Sequence, residues 1–478
     1  MNPTIRPSGP SASPIDVDAT SIVVTNPYTG ERVGAVDKAT AAEVAEAFEV
    51  AAAYRPTLTR HQRAEILRRA AALLRERATS FSDLITAEAG LCVADSRYEV
   101  GRACDVFELA AQLAILDDGQ VFSCDISPHG RDRRIYTLRE PLTAISAITP
   151  FNHPLNQVAH KVAPSIATNN CMVLKPSEKT PLSALALAGV LREAGLPEPM
   201  FQVVTGDPAV IGPTLLTHPA AELVTFTGGV AVGKHIAEAI GYRRVVLELG
   251  GNAPLIVMDD VDVDAAAKLA IKGATKNSGQ RCTAVKRILV HEAIADAFVE
   301  RLAEHARAIR YGDPTDPQTQ LGTLIDEEAA RYCETVVNEA VQEGAHLVYG
   351  NHRDGALYSP TVIDRVSPNS RVVRDETFGP VAPVIRFGSV DEAIALANDS
   401  AFGLSSGVLT NRMDVIMRCI REIRTGTVNV WEVPGYRIEM SPFGGIKDSG
   451  LGYKEGVLEA MKSFTNLKTY SLPWSLPT

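Results

Sequence analysis

The sequence predicts an α/β protein built on doubly wound parallel sheets, with a small β arm standing apart from them. Three observations predict this. From residue 142 onward, short apolar, β-prone runs alternate with helix-length segments, as expected where crossover helices join parallel strands. Paired glycines mark turns where these strands would hand over to helices, as in Phe226-Thr227-Gly228-Gly229. Between residues 119 and 140 the pattern changes to two short β-prone runs around Ser-Pro-His-Gly-Arg-Asp-Arg-Arg, a hairpin with nothing of its own to pack on.

Taken in order, residues 1–20 are rich in Pro, Ser and Thr and lack an apolar segment, so they read as a loose tail rather than a signal peptide. A turn at 26–31 precedes Ala-rich segments with apolar residues three and four apart, which predict helices over 41–54, 60–88 and 97–117. Gly90 is placed to end the second. The hairpin follows with strands at 120–126 and 134–139, and the extended run Ser463 to Leu472 is a candidate to pair with it. An edge strand that needs covering implies self-association. The first alternating series has strands at 143–148, 171–174, 200–204, 222–226 and 244–248, and a second runs from 254–258 to 427–430. Glu248-Leu249-Gly250-Gly251 places the boundary between them near 249.

A chain of 478 residues divides into two or three units with ample apolar content for each. A net charge of −10 with scattered basic residues argues against a nucleic-acid or membrane-surface binder. Seven cysteines, odd in number and without a CxxC pair, fit a reducing cytoplasm and give no sign of a structural metal. No run of eighteen apolar residues occurs.

Cys282, in Asn277-Ser-Gly-Gln-Arg-Cys-Thr, is the candidate nucleophile: the neighbouring Arg281 cation and backbone N–H groups at a turn are expected to lower its thiol pKa. Its plainer reading is an inert buried cysteine. Asn152, just past a predicted strand in Thr149-Pro150-Phe151-Asn152-His153, offers an amide to an oxyanion, though such an Asn also caps turns. Glu248 at a strand end is a candidate general base, its pKa expected to rise in a dry cleft. Lys175 and Glu178, in Lys-Pro-Ser-Glu, suit ribose hydroxyls, and a carboxylate there favours NAD over NADP. The glycines at 228, 229 and 233 would let a pyrophosphate approach a helix N-terminus.

In order and spacing these motifs resemble the aldehyde dehydrogenase superfamily from about residue 22 to 472. The resemblance rests on Pro-Phe-Asn at 150–152, Lys-Pro-Ser-Glu at 175–178, Phe-Thr-Gly-Gly with Gly233, Glu-Leu-Gly-Gly at 248–251, Gly-Gln-Arg-Cys at 279–282, Glu-Thr-Phe-Gly-Pro at 376–380 and Pro-Phe-Gly-Gly at 442–445. It implies a Rossmann-like NAD-binding domain over 21–118 and 141–248, a catalytic α/β domain over 249–462, and an oligomerisation arm over 119–140 and 463–478, usually in dimers or tetramers. It also implies Cys282 as nucleophile, Glu248 as general base and Asn152 as oxyanion donor. Cofactor contacts would come from Thr149, Pro150, Phe151, Lys175, Ser177, Glu178, Gly206, Thr227, Gly228, Gly229, Gly233, Leu249, Glu376 and Phe378, with NAD expected and NADP the alternative. Many members have Ser where this chain has Gly229, which removes one phosphate hydrogen bond.

Arg102, Arg281 and Arg437, with His153, are the candidate substrate residues, because guanidinium forks suit carboxylates and phosphate-like groups and three of them favour a dianion. The segments Glu99-Val-Gly-Arg102, Asn277 to Arg287 and Gly435-Tyr-Arg-Ile-Glu439 are similar to those of phosphonoacetaldehyde dehydrogenases. The expected reaction is therefore phosphonoacetaldehyde to phosphonoacetate in phosphonate breakdown. A carboxylated semialdehyde such as succinate semialdehyde, or transfer of the acyl group to coenzyme A, are the alternatives.

Overall fold

Parallel strands buried on both faces need apolar residues along their whole length, and the central segments supply them. Ala253–Val257 is buried at every position, and Ala221–Thr227 at all but one. The computed structural model describes residues 6–7, 20–116 and 118–474. Apart from residues 6, 7 and 20, the expected tail lies outside them; Arg6 and Pro7 pair antiparallel with Ala35 and Gly34.

Five parallel strands form the first sheet, in the order Arg244–Glu248, Ala221–Thr227, Ala144–Ile148, Met172–Lys175, Phe201–Val203. A second sheet of seven runs His346–Tyr349, Thr361–Asp364, Val381–Phe387, Val285–His291, Ala253–Val257, Ser406–Leu409, Val428–Val430, parallel except at the His346–Tyr349 edge. In both, the two edge strands are not paired with each other, so each sheet is open and its strands end in loops on one side, where ligands bind in such folds.

The helical segment before the first sheet follows local rules at its ends. Thr40 with Glu43 and Thr59 with Gln62 form capping boxes, and Gly90 ends its helix at φ 70°, a left-handed conformation that glycine adopts without a Cβ penalty. The helix expected over 60–88 is two, Arg60–Glu76 and Ala78–Ala89, broken at Arg77 with φ −100° and ψ 18°. No Pro or Gly marks that break. Val93–Ala114 is continuous and carries Arg102.

The arm is a three-stranded antiparallel sheet in which Arg133–Pro141 is central, flanked by Val121–Ser123 and by Thr465–Pro473. The extended segment near residue 470 does pair with the hairpin, and Tyr136 stacks on Tyr470 with ring centroids 5.2 Å apart. Before reaching the arm, the chain passes back through the first core. Val457, Ala460 and Phe464 of and beside the helix Val457–Ser463 are buried there with Val158 and Val162.

Candidate active site

Residues from both sheets wall a cavity of about 220 Å³ that brings together Asn152, Glu248, Cys282, Glu376 and Phe378. Each lies just beyond or at the carboxyl end of a strand or in a loop that faces those ends, which is why segments more than a hundred residues apart in sequence converge.

Cys282 follows a tightly wound loop. Asn277, Ser278 and Gly279 have φ of 59°, 53° and 70°, three consecutive left-handed residues, which cost about 1–2 kcal/mol apiece for side chains other than glycine. Buried groups hold them there. The Asn277 N–H donates to Asp95 Oδ2 at 2.8 Å, and Lys286 Nζ donates to the carbonyls of Gly279 and Gly379, each at 2.7 Å. The side-chain carbonyl of Gln280 accepts from the Ile325 N–H at 2.9 Å.

Contrary to the sequence expectation, the Cys282 thiol is pushed up to about 12. Burial is the main cause and the carboxylates of Glu376 and Glu248 add to it; Arg281 opposes them and is outweighed.

Glu248 is buried at the end of strand Arg244–Glu248. Its carboxyl is held well above the ordinary range by burial and then by the charge of Glu455, and neither of its oxygens has a hydrogen-bond partner. Lys161, fully buried, donates to Glu455 at 2.9 Å and to Thr225 at 2.8 Å, so the second carboxylate is held below the ordinary range while Glu248 is held above it. Gly444, at φ 155°, abuts Glu248: a Cβ there would lie 2.8 Å from Oε1. Asn152 Nδ2 donates one hydrogen to the Gln280 carbonyl at 2.8 Å, which fixes the amide and leaves its second hydrogen for a ligand.

Several features fit a dinucleotide. Gly229 is the N-cap of helix Val230–Ala239 with no side-chain cap, it lines the cavity, and a Cβ on it would meet nothing within 4 Å, so the helix N-terminus is open on that side. Gly228 and Gly233 have no room for a Cβ, against Phe226 and Leu249 respectively. The hydroxyls of Thr149 and Thr227 are buried without partners. Pro150, Phe151, Gly228, Gly229, Leu249 and Phe378 all reach the cavity wall, and Phe151 meets Phe378 edge to face at 5.9 Å. Glu376 accepts from the Gly251 N–H at 2.8 Å, and burial raises it to about 7. Lys175, ion-paired to Glu178, and Ser177 lie beyond one neighbouring strand and Gly206 beyond the next, outside that wall but along the same sheet edge. Gly206 packs against Ile211 and the Ala39 carbonyl.

The three arginines form one cluster but do not have equal freedom. Arg102 is clamped by Glu439, Nε to Oε1 at 2.5 Å and Nη2 to Oε2 at 3.2 Å. It is not the open fork expected from sequence. Arg281 donates weakly to the Gly435 carbonyl at 3.4 Å. Arg437 lies over the Phe443 ring at 4.3 Å, and its Nη1 is buried with no partner. His153 has its Nδ1 3.2 Å from Glu99, a carboxylate that also accepts from the Leu155 and Asn156 N–H groups.

A family model described as "Aldehyde dehydrogenase family" matches residues 15–470. The chain belongs to the aldehyde dehydrogenase family. This aldehyde dehydrogenase is 39% identical over 451 residues to a 3-sulfolactaldehyde dehydrogenase of Priestia aryabhattai, covering 94% of each chain. It is 37% identical over 408 residues to a sulfoacetaldehyde dehydrogenase of Neptuniibacter caesariensis, covering 85% of this chain and 89% of that one. Among solved structures, a glyceraldehyde-3-phosphate dehydrogenase from Methanocaldococcus jannaschii complexed with NADP superposes with a TM-score of 0.91 at 35% identity, over 95% of this chain and 99% of that one. Membership makes the enzyme an NAD(P)-dependent oxidoreductase of this fold.

Sequence reasoning missed several residues of this aldehyde dehydrogenase site. Lys161 and Glu455, which bear on Glu248, are 294 positions apart and carry no local signal. Lys286, four residues after Cys282, read as one more basic residue and is in fact buried. Glu439 stood two residues after Arg437 in a segment already singled out, and a carboxylate so placed among candidate anion binders was a signal that went unused. No helix among the described residues is long and apolar enough to cross a membrane.

Proposed function

We propose that this enzyme oxidises a short aldehyde with a strongly acidic tail, phosphonoacetaldehyde to phosphonoacetate, using NAD. The observation that carries the reading is Arg437 Nη1, a buried guanidinium nitrogen without a partner, in a group close enough to Cys282 for its charge to act on the thiol. Leaving such a donor unpaired costs free energy that an anionic ligand would recover. Arg281 and Arg437 are the two cations of the cluster not hydrogen-bonded to a carboxylate, and a pair of guanidinium groups suits a doubly ionised phosphonate better than a single charge. The relatives named for sulfolactaldehyde and sulfoacetaldehyde also have substrates with an acidic tetrahedral tail.

In this mechanism Cys282 gives its proton to the carboxylate form of Glu248, which shares its cavity and returns the proton to solvent before hydrolysis, and the thiolate adds to the aldehyde carbon. The new oxyanion receives the free Asn152 amide hydrogen and the Cys282 backbone N–H, donors of a kind worth roughly 3–4 kcal/mol in such sites. Conversion of the thiohemiacetal to the thioester expels a hydride, and accepting it is the chemistry the nicotinamide supplies when bound. Glu376 and Phe378 would hold the nicotinamide end, Gly228, Gly229 and Gly233 would admit the pyrophosphate, and Lys175 and Glu178 would take the adenosine ribose. Glu248 then removes a proton from water as that water attacks the thioester, and Cys282 leaves as the thiolate. The exposed apolar residues Val121, Phe122 and Leu472 on the arm support self-association through it, and seven free cysteines support a cytoplasmic setting.

The test is kcat/KM for phosphonoacetaldehyde, succinate semialdehyde, sulfoacetaldehyde and propionaldehyde, each with NAD and NADP. Phosphonoacetaldehyde with NAD should lead. A lead by succinate semialdehyde would move the assignment to carboxylated semialdehydes, and equal values for propionaldehyde would remove the anion subsite altogether.

A further inference from the structure

The anion subsite of the proposed function has a hub that does not itself face the reacting carbon. Glu439 lies on the loop after strand Val428–Val430 and reaches groups on two helices, Arg102 on Val93–Ala114 and His160 on Asn156–Ala167. Both its oxygens are engaged. Oε1 takes Arg102 Nε, and Oε2 takes Arg102 Nη2 at 3.2 Å and His160 Nε2 at 2.6 Å. The side chain is only 7% exposed, yet its neighbours keep it ionised: burial works against the charge, and the His160 hydrogen bond with the Arg102 and Arg437 charges outweighs burial.

The tautomer of His160 follows from this. An ionised Glu439 only accepts, so His160 Nε2 must carry the hydrogen and donate it. That nitrogen then has no lone pair for Arg437 Nη2, which lies 3.4 Å from it. The approach of Arg437 Nη2 to Glu439 itself is 3.9 Å, beyond hydrogen-bond length. Arg437 is thus left without a satisfied partner on either terminal nitrogen while its face is fixed on Phe443. Glu439 consumes the hydrogen-bonding capacity of Arg102 and His160, and so selects which guanidinium meets the ligand.

We infer that Glu439 is a positioning residue for substrate specificity: by clamping Arg102 and fixing the His160 tautomer it leaves Arg437, beside Arg281, open to the anionic tail. The inference rests on the anion-subsite reading above. Arg102 then acts through Glu439 rather than on the substrate, and the two should be energetically one unit.

The experiment is a double-mutant cycle on the full-length enzyme with Arg102→Ala, Glu439→Gln and the pair, reading kcat and KM separately for phosphonoacetaldehyde and propionaldehyde with NAD. Glu439→Gln should lower kcat/KM for phosphonoacetaldehyde at least tenfold more than for propionaldehyde, mainly through KM, and the double variant should be no worse than the poorer single one. Additive losses, or equal losses for the two aldehydes, would overturn the inference. Glu439→Asp keeps the charge but is one carbon too short for the two-point clamp. It should reproduce the KM effect in part, and it serves in its place if the Gln variant does not fold. Arg437→Ala separates the two levels. If it too fails to discriminate between the aldehydes, the anion subsite is wrong; if it discriminates and the Glu439 variants do not, only the role of Glu439 falls.

Discussion

Glu248 and Glu455 lie together in the interior and are pushed in opposite directions, Glu248 well above the ordinary carboxylate range and Glu455 below it, because Lys161 donates to Glu455 and no donor reaches Glu248. A carboxyl raised in this way gains its base form as pH rises through its raised pKa. Hydrolysis of the thioester should therefore be slow where an ordinary carboxyl is already ionised and should accelerate as pH rises further. Glu248→Gln should give a burst of NADH about equal to the enzyme, then slow turnover. Stopped-flow absorbance at 340 nm checks both, and the absence of a burst would put the block before the thioester.

Lys161→Met removes the ion that lets Glu455 stay charged. Glu455 then loses the ammonium that holds it below the ordinary carboxylate range and is the group that takes up a proton. We expect a lower melting temperature, and a pH profile for turnover displaced from the wild type in the acid direction, because the charge of Glu455 is, after burial, what raises Glu248. A profile displaced to higher pH would show that Glu455 stays ionised without Lys161.

Cys282 should alkylate slowly at neutral pH. With the thiol at about 12, the thiolate fraction grows about tenfold per pH unit below that value, so iodoacetamide labelling of the free enzyme should climb steadily from pH 7 to 10. A plateau near pH 8 would mean that Arg281 prevails over Glu376 and Glu248. Mass spectrometry of the labelled peptide gives the answer.

Removing Lys286 should unwind the loop that presents the nucleophile. Lys286→Met orphans two buried carbonyls, at a cost of about 1–3 kcal/mol each. Thermal denaturation should shift downward, and Cys282 labelling should speed up as the loop opens. An unchanged labelling rate would show that the loop is held without it.

Gly229→Ser should be accommodated, since a Cβ there meets nothing. The hydroxyl would cap helix Val230–Ala239, adding a few tenths of a kcal/mol, and would offer the pyrophosphate a hydrogen bond. Calorimetric titration should give a several-fold lower Kd for NAD; weaker binding would mean that the turn does not face the phosphates.

The alternation of strands and helices was legible because each element buries its own apolar pattern, and the predicted strands of the first sheet agree with those observed to within two residues at each end. The joint at Arg77 was not, since neither Gly nor Pro makes it. Asn152, Glu248 and Cys282 were readable from their motifs, and the cavity brings them together. The charge state of Cys282 was not readable. Arg281 is adjacent in sequence, whereas Glu376 and Glu248 reach the sulfur only through the fold. Likewise Arg102, Arg281 and Arg437 were visible as cations, but Glu439's claim on Arg102 spans 337 positions.

Val457, Ala460 and Phe464 complete a core whose other members lie before residue 250. During synthesis that core must wait for roughly 200 further residues, about 10–40 s at ordinary ribosomal rates. For that interval the nascent chain carries an apolar hollow that nothing else in it is shaped to fill, so this is the stage at which a chaperone would have most to hold and a stalled ribosome most to lose.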